Sequence, residues 1–134
     1  MSYFEYVTTQ EKAKAYQATR EVFDGLIKEM RELSKKKSDA TLSKGKVRIL
    51  NRCLDDIRDF LQGEPEAKFL DPLDDDELPQ NSDAVLVMVQ YESALDSFHK
   101  RHHRRRLDDF GYDVWITSEV DEHFVEIHGE RYED

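Results

Sequence analysis

The 134-residue sequence predicts an α+β fold that is mainly α. Three long amphipathic helices should pack as a bundle, with a small antiparallel β-hairpin at the C-terminal end and residues 3–7 as a candidate third strand. Three observations lead there. Apolar residues recur at threes and fours over three long stretches. All three prolines (Pro65, Pro72 and Pro79) fall in a single break between the second and third of these stretches. After Gly111 the period shortens towards the alternation of strands.

The first helix is predicted over 8–36. Thr8 followed by Glu11 has capping-box spacing, and Tyr16, Phe23, Leu26, Met30 and Leu33 share one face. At about 1.5 Å per residue it should span roughly 40 Å. The stretch "SDAT" breaks it, and Thr41 or Ser43 can cap a second helix over 42–62. There Val47, Leu50, Leu54, Ile57 and Leu61 keep a strict 3, 4, 3, 4 spacing, flanked by Cys53 and Phe60, and Gly63 marks the stop. A short connection between two such helices predicts an antiparallel pair.

Residues 63–81 form the acidic, proline-containing loop, expected to be held to the body by Phe69, Leu70, Leu73 and Leu78. The third helix is predicted over 82–106, capped by Asn81 or Ser82. Ala84, Met88, Tyr91, Leu95 and Phe98 form its main stripe. Val85, Leu86, Val87 and Val89 make its first turns apolar nearly all round, which predicts central burial. "YDVWIT" and "HFVEIHG" are read as the strands of a hairpin over 112–129, with Phe110, Tyr112, Trp115 and Phe124 on its packing face.

Length and composition fit one domain over 1–134. Hydrophobic residues make up 38% and charged residues 37% of the chain. No apolar run approaches the roughly 18 residues that a membrane span needs, and the N-terminal residues lack signal-peptide features. A lone cysteine, Cys53, fits a reducing compartment. The expectation is a soluble, cytoplasmic protein.

The net charge of −10 is segregated. Residues 63–83 carry one cation against eight acids, and 107–134 one against ten, while the predicted helices are mildly basic. An acidic far field repels phosphate, which argues against nucleic-acid binding.

Against that background "SFHKRHHRRRLDDFGYD" stands out. On a helix Asp96, His99 and His103 share one face with Glu92, a donor set that suits zinc or iron. No second helix supplies a further histidine, and the adjacent cations would repel a dication. Arg101, Arg104, Arg105 and Arg106 could form a phosphate or acidic-partner patch. The simpler alternative is that cations at a helix C-terminus satisfy its last carbonyls and meet the negative end of its dipole. The acidic run Asp74, Asp75, Asp76 and Glu77 lacks the ligand order and glycine of a calcium loop. It reads as a solvated surface facing a partner. No nucleophile elbow, phosphate-binding loop or pocketed carboxylate pair is present, so no catalytic residue is assigned and no cofactor is expected.

The function expected is therefore non-catalytic: a protein-interaction or regulatory protein working through helical faces and acidic surfaces. It would be a homo-oligomer built on its helices, or an acidic inhibitor or immunity-type partner of a basic protein. Leu26, Val89 and the acids at 74–77 are the candidate partner-binding residues. The alternatives are a small metal-dependent enzyme using the His/Asp face and a helical nucleic-acid-associated protein.

Overall fold

The computed structural model describes residues 2–105 and 113–129. Its elements, in order, are α1 (Gln10–Lys36), α2 (Lys44–Phe60), a 3-10 turn (Pro65–Phe69), α3 (Asn81–His102), β1 (His103–Arg104), β2 (Val114–Trp115) and α4 (Ser118–His128). This is the α+β, mainly α class that the sequence predicts. None of the described helices is long and apolar enough to cross a membrane. The chain forms two compact units, one of residues 15–96 and the other of 1–14 with 97–134.

In the unit 15–96, α1 and α2 run antiparallel. The Tyr16 ring meets Phe60 edge-on at 6.4 Å. The predicted α2 stripe is buried in full, at Val47, Leu50, Leu54, Ile57 and Leu61, and so are its flanks Cys53 and Phe60. Ser43 caps α2, accepting from Lys46 N at 3.2 Å. Along α3, Ala84, Met88, Tyr91 and Leu95 are buried as predicted.

Residues 61–80 carry the chain back, so α3 lies parallel to α2 and antiparallel to α1. The junction joins two helix ends. Lys37 O accepts from Asn81 Nδ2, Ser38 O from Ser82 N, and Ala40 O from Asn81 N, at 2.8–3.1 Å. Donors at the start of one helix thereby satisfy carbonyls just past the end of the other.

The loop is held down differently from the prediction. Leu70 and Leu73 are buried, but Phe69 is 60% exposed, its ring lying under Lys68 Nζ. Polar anchors replace it. Asn51 brackets Leu73, donating to its carbonyl and accepting from its N–H, both at 2.9 Å. The Tyr91 hydroxyl donates to Asp71 O at 2.7 Å and accepts from Arg58 Nη1 at 2.8 Å.

In the other unit the predicted boundaries move. The cap of α1 is Thr9, whose Oγ1 accepts from Lys12 N at 3.1 Å. Thr8 stays extended because its N–H donates to Ile116 O at 2.8 Å, which shifts the expected cap by one residue. Residues 3–7 form no extended strand: Phe4 and Thr8 each take part only in an isolated bridge, that of Thr8 being parallel with Thr117. Tyr3 and Phe4 pack instead with Ile116 and Phe124 in a small core.

The hairpin over 112–129 is also corrected. Its first half supplies β2, which pairs antiparallel with β1 in the register His103–Trp115 and Arg104–Val114. Its second half is helix α4. Thr117 is extended at the N-cap, Glu119 and Asp121 stand in the first turn, and Gly129 ends the helix with φ +81°. Val120 and Phe124, four apart, put their apolar face on the small core. Asp121 Oδ1 accepts from both Tyr3 N and Phe4 N at 2.8 Å. The first turn of α4 thus delivers a buried carboxylate to these two amides. The predicted third helix stops at His102, where β1 begins. Arg106, Phe110 and Tyr112 lie outside the described residues.

Candidate functional site

On α1 the apolar residues divide into two stripes. Phe23, Ile27 and Met30 point inward and are buried. Val22, Leu26 and Leu33, at i, i+4 and i+11, form a second stripe rotated towards α2. Leu26 and Leu33 are half-buried and Val22 is 56% exposed. On α2, Ile49 stands one residue off the buried stripe and is likewise 56% exposed.

The antiparallel pairing sets these residues side by side. They line two depressions along the α1–α2 seam, about 410 Å³ and 280 Å³, which share Leu26 and Ile49. Cys53 also lines the larger one, and burial pushes its thiol up to about 11, so it stays protonated at neutral pH and acts as apolar lining. The rims carry both signs. Lys46 and Glu29 flank the smaller depression, while Arg52 and Asp56 flank the larger. The groove thus has an apolar floor inside a rim of both signs.

Leu26, a candidate partner contact from the sequence, lines both depressions. Val89 is half-buried on α3, near Leu86, which is 65% exposed. The expectation of central burial all round α3 fails at Leu86: the helix buries one stripe and leaves the opposite side open. Val22 and Ile49 were missed as site residues. The one sequence signal, the secondary i, i+4 line Val22–Leu26 beside the main stripe, bears on Val22 alone and does not say whether that line is left open.

The acidic run is exposed on its anchored loop. Asp74 Oδ1 accepts from Asp76 N at 2.8 Å and Glu77 N at 2.9 Å. These two backbone donors hold the Asp74 carboxyl below its usual range. Among the described residues, Asp74, Asp75 and Asp76 are the one set of three or more His, Cys, Asp or Glu side chains whose ligand atoms lie within 4.8 Å of one another.

Along the His/Asp face of α3 the two acids have cationic partners and the two histidines lie against an indole. Asp96 takes an ion pair from Arg20 at 2.8 Å and Glu92 one from Arg31 at 3.0 Å. His99 and His103 stack at 4.4 Å, and the Trp115 ring stands edge-on to both, at 5.4 and 5.2 Å.

In the basic tract, Arg104 Nη1 donates to Arg101 O at 3.0 Å and His103 O at 3.1 Å. This is the carbonyl-capping role that the simpler alternative assigns to a cation at this place. Arg101 is half-buried and Arg105 exposed. Comparisons of the chain with protein-family models, with curated proteins and with solved structures give no match.

Proposed function

We propose that this chain is a non-catalytic protein-interaction module and that the α1–α2 seam is its docking surface. The observation that carries the reading is the exposure of Val22 and Ile49 on the two walls of one apolar groove. Isolated exposed apolar residues are ordinary on protein surfaces. Two that flank a groove with a leucine floor mark a place where association removes apolar surface from water.

The test is site-specific labelling. With Cys53 replaced by Ala, a single thiol is introduced by Ile49→Cys, or by Lys28→Cys as a control on the exposed side of α1. Maleimide labelling of each is compared between dilute buffer and extract of the native cell. The reading predicts slower labelling at position 49 in extract and an unchanged rate at 28. Equal rates at 49 in both media would overturn it.

A second reading draws on the acidic loop. Asn51 and Tyr91 fix residues 71–73 to α2 and α3, so Asp74, Asp75 and Asp76 would meet a basic partner already ordered, as an inhibitor or immunity-type protein requires. Titration with an oligoarginine peptide should then perturb the amide resonances of 74–77. The effect should vanish in the Asp74→Asn, Asp75→Asn, Asp76→Asn variant.

A further inference from the structure

We infer that the occupant of the α1–α2 seam is a second copy of this chain, packed about a two-fold axis. The inference rests on the docking reading above and names its partner. A two-fold contact requires that one surface complement itself, because the same patch serves both copies.

The seam meets that requirement in shape. Its hollows and the side chains that could fill them belong to one patch: Val22 and Ile49 project beside depressions floored by Leu26 and Leu50. It also meets the requirement in charge. With the axis along the groove, α1 of one copy lies over α2 of the other, at the same level, and Glu29 opposes Lys46. With the axis across the groove, each α2 meets the other reversed, and Lys46 opposes Asp56. Either arrangement sets unlike charges against each other at the rim, which a groove with a one-sign rim could not do. No described residue of the acidic stretch 63–83 lines either depression.

The experiment is sedimentation equilibrium of the purified full-length chain across a dilution series, for wild type, Ile49→Glu and Val22→Glu. Both positions are more than half exposed, so each variant should fold; circular dichroism checks this, and the two lie on different helices should one fail. Wild type is expected to pass from monomer to dimer. Each dimer carries the substitution twice, so either variant should raise the dissociation constant by about 100-fold or more. Two results would overturn the inference: a wild type that stays monomeric at several hundred micromolar, or a dimer that both variants leave intact. Maleimide labelling of Ile49→Cys in the same series separates the two claims. A monomeric chain protected at position 49 only in cell extract defeats the second copy and keeps the docking surface. A chain unprotected in both defeats both.

Discussion

Tyr91 joins three elements through one hydroxyl, and the consequence is a pH dependence. Its ring is buried on α3, while its oxygen bridges Arg58 on α2 and the carbonyl of Asp71. Burial raises its pKa above the usual 10.0, and the Arg58 cation offsets part of the rise. Tyr16 is raised in the same way, by burial against the lowering effect of Arg20. The sign follows from proton linkage. Above pH 10 the unfolded chain releases these protons while the native chain retains them, so stability falls as pH rises. The contribution is complete below pH 10 and is lost above it. The buried Cys53 thiol, raised from 9.0 to about 11, adds a loss of the same sign that begins near pH 9. Urea unfolding from pH 7 to 11 should show this decline, shallower in Tyr91→Phe. At pH 7 that variant should also lose about 1–3 kcal/mol, because Arg58 and the Asp71 carbonyl lose a buried partner. An equal slope in both proteins would contradict the assignment.

At the scale of elements, α4 separates the structure most sharply from its sequence-based expectation. Cα chemical shifts over 118–128 should be helical, and extended shifts at 123–128 would restore the hairpin. The misreading has a physical source. "HFVEIH" mixes β-branched and aromatic residues at spacings short enough to fit either period, and propensity yields to tertiary demand in such a stretch. The demand comes from Asp121, which must reach the amides of Tyr3 and Phe4 some 117 residues away in sequence. Local pattern carries no trace of that contact. By contrast, α2 was legible nearly residue by residue, because a strict 3, 4, 3, 4 spacing admits one helical face. The α3 stripe was legible for the same reason, whereas the side left open at Leu86 was not: an all-round apolar turn does not say which face its neighbours will cover. For the site, Leu26 was legible as an apolar residue in a helical stripe. Val22 and Ile49 were not, because the rotation of α1 against α2 decides which flanking residues a groove exposes.

At the scale of the whole molecule, the charge distribution fits the same picture. The helical pair bearing the seam is locally mildly basic, while the chain as a whole carries −10. Two copies therefore repel at long range, over distances that physiological salt screens to about 8 Å, and the proposed dimer requires the seam to supply the attraction at contact. Association through an acidic surface to a basic partner would instead weaken with salt. The most direct measurement is an isotope-filtered nuclear Overhauser experiment on a mixture of labelled and unlabelled protein at millimolar concentration. It detects only contacts between different copies. Intermolecular contacts from the methyl groups of Val22, Leu26 and Ile49 are the predicted result. Intermolecular contacts confined to Leu86 and Val89 on α3, or none at all, would contradict a second copy in the α1–α2 seam.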